Sequence, residues 1–395
     1  MMRSWLLLLI FTAAVVAFPA TAKEPPKIAE ATYKQLAKAR KAQDKKRPQE
    51  ALTTLEALLP NVKDKAYEQA LTYQHLAFVY LALERYNPAV DALQNALRQA
   101  DLFPTESAQN LRFNLAQAAF HGERYALAKQ AFSDWRTKQT HISADAWYLG
   151  ALIEFKLNHF AAAEKILKQA LNHQQREEWL TLLLHVQLEQ KHYPAATDTL
   201  RGLIKQKPDN KQHWLNLTDT LSLSGNHSAA LDTLKLVEQE FGLTGSEVKR
   251  LVNLYLHNNI PYSAAKTLAK AMDAGKIKKT AEQLEWLANS WAAARETGKA
   301  VQVLAQVAAQ RGDGKLYLRC AQWSANARLW SETLTYTDKA LQTQAKNNGQ
   351  IYLLKGYAAL QLNKIDQARA AFRQASGYVG VKQQAKAWLS QLNTE

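Results

Sequence analysis

Residues 73–97 read YQHLAFVYLALERYNPAVDALQNAL, and the spacing within them sets the plan for the whole chain. Tyr73, Leu76, Ala77 and Tyr80 stand at i, i+3, i+4 and i+7, which gathers four apolar side chains on one helical face. A turn follows from Glu84 to Asn87. A second helix is predicted to open at Pro88, where a first-turn residue needs no N–H partner, and to carry Ala89, Leu93 and Ala96 at i, i+4 and i+7. Ala77 and Ala89 let the two backbones approach closely, while Tyr73, Leu76, Tyr80 and Leu93 fill the space around that contact. A single helical pair cannot bury its own apolar faces, so the pattern predicts a stack of such pairs.

An aromatic, a Leu with a small residue, and a second aromatic in the first helix, then Ala, a large apolar residue and Ala in the second, resemble the tetratricopeptide repeat. The small position of the second helix recurs at Ala51, Ala89, Ala128, Ala163, Ala196, Ala230, Ala264, Ala300, Thr333 and Ala368, at intervals of 33 to 39 residues. The family's period is about 34. The resemblance implies an all-α, right-handed solenoid of about ten helix-turn-helix repeats over residues 28–377. Val381, Ala385, Trp388 and Leu389 fit a capping helix over about 381–392. The two longest intervals fall near Pro60 and Pro104 and predict extended helices or loops there. Leu184, Thr218, Thr333 and Thr337 stand where Gly or Ala is usual, which predicts looser local packing. No Gly/Ser-rich linker interrupts the series, so residues 23–395 read as one solenoid.

With 47% hydrophobic residues, 14 Gly and 10 Pro in 395, the chain has the composition of a folded protein. Its 50 Lys and Arg against 35 Asp and Glu would suggest nucleic acid as a partner in a cytosolic protein. Residues 1–22, MMRSWLLLLIFTAAVVAFPATA, argue for another compartment: Arg3, an apolar run from Trp5 to Phe18, and Ala20-Thr21-Ala22 form a secretory signal peptide. The run is shorter than the roughly 20 residues a spanning helix needs. Cleavage near Lys23 is therefore expected, with periplasmic export and no nucleic-acid partner. No cysteine follows the leader to accept a lipid. The lone Cys320 cannot form a disulfide within the chain, and it occupies the inward Leu position of its repeat, which predicts a buried side chain. Between Lys23 and Glu50, nine basic residues face four acidic ones, suited to a solvated helix face or to contact with an anionic envelope surface.

Catalytic signals are absent from the sequence. The ten histidines lack i, i+4 pairing, no CxxC occurs, and neither GxSxG, a phosphate loop nor GxGxxG is found. Glu106-Ser107 matches a Glu-Ser pair of lytic transglycosylases, but the Gly-Leu-Met-Gln stretch that follows it there is missing. The pair suits a helix start. No enzyme activity, metal or cofactor is expected.

The family resemblance implies instead a groove lined by first-helix residues one after and three before the inward small residue. Carried over by register these are Gln74 and Phe78, Phe113 and Gln117, Tyr148 and Leu152, Thr181 and His185, Leu215 and Asp219, Lys249 and Asn253, Glu285 and Asn289, Leu318 and Gln322, and Leu353 and Tyr357. Phe78, Phe113 and Tyr148 suit apolar anchors. The polar members from Asp219 to Gln322 suit an extended peptide backbone. The order of leader and repeats also resembles periplasmic tetratricopeptide proteins that accompany TonB–ExbB–ExbD energy-transduction systems. That resemblance implies a partner among those proteins and a role in iron uptake; a cell-wall or outer-membrane assembly scaffold and a chaperone for exported chains are the alternatives.

Overall fold

The computed structural model describes residues 25–343 and 348–392. The leader expected at 1–22 lies outside the described residues. Among the described residues are 21 α-helices, two short 3-10 segments and no strand, in accord with the all-α reading. The chain divides into two compact units, Met1–His192 and Tyr193–Glu395. The first unit holds α1 (Glu30–Asp44), α2 (Pro48–Leu58), α3 (Ala66–Ala82), α4 (Tyr86–Leu97), α5 (Thr105–His121), α6 (Tyr125–Arg136), α7 (Ala144–Lys156), α8 (Phe160–His173) and α9 (Glu177–Glu189). The second holds α10 (Tyr193–Gln206), α11 (Lys211–Leu223), α12 (His227–Phe241), α13 (Gly245–His257), α14 (Pro261–Asp273), α15 (Ala281–Ala293), α16 (Thr297–Arg311), α17 (Gly314–Asn326), α18 (Trp330–Gln342), α19 (Asn348–Gln361), α20 (Ile365–Ala375) and α21 (Lys382–Leu392).

Every second helix presents its small residue to the helix crossing. Ala51, Ala89, Ala128, Ala163, Ala196, Ala230, Ala264, Ala300, Thr333 and Ala368 are all fully buried. Thr333 and Thr337 are as closed off as the alanines, and their hydroxyls donate to the carbonyls of Leu329 and Leu334 at 2.9 and 2.8 Å. Thr218, also buried, donates to Trp214 O at 3.0 Å. The looser packing expected at these threonines is not found, because a hydroxyl satisfied within its own helix leaves only a small apolar side chain facing the crossing.

Five residues before each small position the backbone turns left-handed. Lys46, Glu84, Glu123, Asn158, Lys191, Gly225, Asn259, Arg295, Arg328 and Asn363 all have positive φ, between 55° and 79°. In each case the next residue's N–H bonds back five positions, as Arg85 N to Tyr80 O at 2.8 Å, Asn226 N to Leu221 O at 2.9 Å and Leu329 N to Ser324 O at 2.8 Å. This is the Schellman closure, which satisfies carbonyls left open at a helix C-terminus. Because Arg85 completes that closure, the following helix starts at Tyr86, not at Pro88 as the sequence suggests; Pro88 lies within the first turn, where its missing N–H costs nothing. The two long intervals are filled by 3-10 segments at Leu59–Val62 and Ala100–Leu102, each followed by a 17-residue helix, α3 or α5.

At the end of the second unit α21 packs on α20, with Trp388 stacked on Phe372 at 5.9 Å. At the start of the first unit, α1 buries Thr32, Leu36, Ala39 and Ala42 against α2 and α3. Its opposite face leaves Tyr33, Lys34, Lys38, Arg40 and Lys41 exposed. Cys320 is buried as expected, and burial pushes its thiol up to about 12. Glu106 and Ser107 occupy the first turn of α5.

Candidate functional site

The first-helix strip differs in character between the two units. In the first, α3, α5, α7 and α9 carry Phe78, Phe113, Gln117, Tyr148 and His185. Phe78, Phe113, Gln117 and Tyr148 are half-buried and His185 is exposed. Two of the aromatic members are seated on other rings: Phe113 lies 4.5 Å from Trp135, and Tyr148 stacks on Trp179 at 5.4 Å. Trp179 is fully buried, with the Arg176 guanidinium 4.5 Å above its ring. Arg176 also donates to both carboxylate oxygens of Asp145, at 2.7 and 3.5 Å, tying α9 to α7. Burial, together with the nearby Glu178 charge, pushes the Tyr148 hydroxyl above its ordinary value. Phe113 and Tyr148 therefore present ring faces that the fold already holds in place.

In the second unit the polar positions separate into two groups. Asp219 on α11 accepts from Arg250 on α13, with Nη1 3.1 Å from each carboxylate oxygen. Burial pushes the Asp219 carboxyl up, and Arg250 opposes that shift. Glu285 on α15 meets Arg311 at 3.1 Å and Arg319 at 3.6 Å, and Asn289 Oδ1 accepts from Arg319 at 2.5 Å. Thus Asp219, Glu285 and Asn289 are already engaged by arginines, two of them on the next first helix. Lys249 and Asn253 on α13 and Gln322 on α17 are exposed. They form no hydrogen bond or ion pair among the described residues. Tyr357 lies 5.5 Å from Trp330 and 5.9 Å from Trp388 of α21, so the last strip position is packed beside the capping helix.

Sequence reasoning missed both the arginines and a second set of groups. Four nearly buried carboxylates tie neighbouring helices. Glu68 accepts from Thr32 and from Ala29 N at 3.1 Å; Glu154 meets Lys129 at 3.1 Å and His159 at 2.8 Å. Glu164 accepts from Gln190 at 2.9 Å and pairs with Lys168 at 2.8 Å, while Glu247 pairs with Lys211 at 2.6 Å and closes a capping box with Thr244. Burial acts to raise the carboxyls of Glu68, Glu164 and Glu247, but the hydrogen bonds and cations on each outweigh it and hold all three below the usual range.

The strip can thus offer side-chain amides, which both donate and accept, next to guanidinium groups that suit carboxylates. Among the described residues no group of three or more His, Cys, Asp or Glu could hold a metal ion, and no helix is long and apolar enough to cross a membrane.

Two segments match family models described as tetratricopeptide repeat, residues 76–141 and residues 349–378. No curated protein matches the chain. Among solved structures, a tetratricopeptide repeat protein from Parabacteroides merdae is 15% identical, covering 63% of this chain and 95% of its own, with a TM-score of 0.40. YrrB, described as a TPR protein with an unusual peptide-binding site, is 18% identical over 47% of this chain and 93% of its own, at a TM-score of 0.37. MamA is 17% identical over 42% and 91%, at 0.33. One tetratricopeptide-repeat match lies in each unit, and the same small-residue and turn register, running from Lys46 to Ala368, gives both units the all-α helix-turn-helix fold of such repeats.

Proposed function

We propose that the protein is a non-enzymatic scaffold that holds an extended segment of a partner protein along the first-helix strip of the second unit, which supplies the polar contacts. The observation that carries this reading is the exposed set Lys249, Asn253 and Gln322 beside Arg250 and Arg319, on α13 and α17. Amides can hold a peptide backbone whatever its side chains, and the cations favour acidic residues in it. Phe78, Phe113 and Tyr148 supply ring faces for apolar side chains in the first unit. In this reading residues 1–22 direct the chain to the periplasm, and the order of leader and repeats makes it an accessory of a TonB–ExbB–ExbD system that serves iron uptake.

The test is calorimetric titration of the purified mature chain with the purified periplasmic part of TonB. Binding that weakens when Asn253→Ala and Gln322→Ala are combined is expected, because each lost hydrogen bond is worth about 0.5–1.5 kcal/mol net. Absence of binding removes the TonB assignment, and binding unchanged by the two substitutions removes the strip. A second reading, a scaffold lying on an anionic wall or lipid surface, is favoured by the exposed Lys34, Lys38 and Lys41 of α1. It predicts sedimentation with anionic vesicles that is abolished by salt.

A further inference from the structure

Away from the strip, α6, α7 and α8 enclose a cleft of about 410 Å³, within the range of roughly 300–1,000 Å³ typical of ligand sites. Its floor is α7, which contributes Trp147, Gly150 and Ile153; α6 forms one wall and α8 the other. By helical rotation, Tyr148 and Leu152 point roughly half a turn away from Gly150, so the cleft and the strip use opposite sides of α7. Two structural features create the opening. Within the first unit, α6 and α7 pack less extensively than other consecutive helices do. Gly150 then lets the Phe132 ring lie against the α7 backbone, where a Cβ would come within 2.5 Å of Phe132 Cε1.

The cleft has an apolar floor and a cationic rim. Phe132, Trp147, Ile153 and Ile166 line it, and Lys129, Arg136 and Lys165 stand around it. The one acid there, Glu154, is nearly buried and already engaged by Lys129 and His159. Arg136 lies 5.9 Å over the Trp147 ring. Neither Arg136 nor Lys165 has an ion-pair partner among the described residues. An occupant must therefore be apolar on the side that enters and anionic on the side that stays out. Each wall offers residues at i, i+3, i+4 and i+7, namely Lys129, Phe132, Ser133 and Arg136 on α6, and Ala162, Lys165, Ile166 and Gln169 on α8. That is two helical turns, about 10 Å, the pitch that an incoming amphipathic helix can match.

We infer that the cleft between α6 and α8 is a second docking site, and that it takes an acidic amphipathic segment of a partner protein with one large apolar anchor. This site is independent of the strip in the second unit, and its test separates the two. The probe is a random-peptide display library selected on the full chain, with the Ala162→Trp variant, which fills the cleft mouth, as the counter-selection. Peptides retained by the parent and lost on Ala162→Trp should be rich in Asp and Glu around Leu, Phe or Trp. Their affinity should fall about tenfold or more in Arg136→Glu with Lys165→Glu, and with added salt, as the loss of desolvated charge contacts implies. Peptides that bind the strip survive the counter-selection and respond instead to Asn253→Ala. The proposal is overturned if no peptide is lost on Ala162→Trp, if those lost are neutral or basic, or if the charge reversal leaves their affinity unchanged. It is also overturned if decanoate, titrated against the change in Trp147 fluorescence with Trp147→Phe as control, occupies the cleft while no peptide does. Circular dichroism of each variant confirms that the helices persist.

Discussion

Replacing Arg328 by glycine should stabilise the second unit, although it deletes a side chain and adds no contact. Arg328 holds φ at 57° so that Leu329 N–H can reach Ser324 O at 2.8 Å, and its side chain is exposed and makes no hydrogen bond or ion pair among the described residues. For a residue with a Cβ, the left-handed region costs about 1–2 kcal/mol. Glycine removes that cost but brings about 0.5–1 kcal/mol of extra unfolded-chain entropy. The net gain for Arg328→Gly is then about 0.5–1 kcal/mol. Asn363 holds the same φ of 57° in the next turn, yet asparagine visits this region readily, so Asn363→Gly should be neutral or slightly destabilising. The comparison cancels the entropy common to both changes and isolates the backbone strain. Gly225→Ala, at φ 79°, runs the experiment in reverse and should lose a similar amount. Stability in repeat proteins is local, so the assay is native-state hydrogen exchange read at the Leu329, Lys364 and Asn226 amides rather than a single melting midpoint. Equal effects for Arg328→Gly and Asn363→Gly, or a neutral Gly225→Ala, would refute the assignment of strain to these turns.

Protonating Glu68 should release the start of α1. Its folded carboxyl lies below its ordinary value, so the stabilisation is fully present above the ordinary carboxylate range and is lost as pH falls through the lowered one; exchange of the Ala29 amide should accelerate there, and Glu68→Gln should flatten that dependence. Cys320, buried and pushed up to about 12, should resist iodoacetamide at pH 8 in the folded protein and react after denaturation, as mass spectrometry would show. Ala288 is fully buried on α15, and Ala288→Leu should cost about 1–3 kcal/mol through overpacking, read as earlier urea unfolding of the second unit.

The parts of this fold that are legible in sequence are those where only one kind of side chain fits. An alanine at a helix crossing has no good substitute, so Ala51 to Ala368 could be followed one repeat at a time, and Thr333 entered the series because its hydroxyl can bond within its own helix. The turns were hidden for the opposite reason. Lys46, Glu84, Lys191 and Arg295 carry the left-handed conformation that a reader looks for at glycine, and only the backbone closure that follows each one reveals it. The strip was legible as positions but not as chemistry. Asp219, Glu285 and Asn289 were read as ligand contacts, whereas Arg250 and Arg319, lying 30 to 34 positions further on, engage them. Tyr357 depends on Trp388, a residue outside the repeat pattern. The cleft was not legible at all, because it arises from how far α6 and α7 diverge and not from any spacing in either helix.

The exposed side of α1 bears on how the protein behaves when concentrated. Lys34, Lys38 and Lys41 stand on successive turns of α1, on the side turned away from α2 and α3. A second copy approaching this side would bring the Lys38 and Lys41 ammonium groups together, beside the exposed Tyr33 and a Lys34 held by Glu30 at 2.7 Å. Like charges on an open edge act as gatekeepers against polymerisation, in the way that lysines protect the outermost strand of a β-sheet. The same lysines that would let the protein rest on an anionic surface would thus keep this face of two copies apart in free solution, so that crowding along such a surface, where the charge is neutralised, is the circumstance in which the two faces can meet.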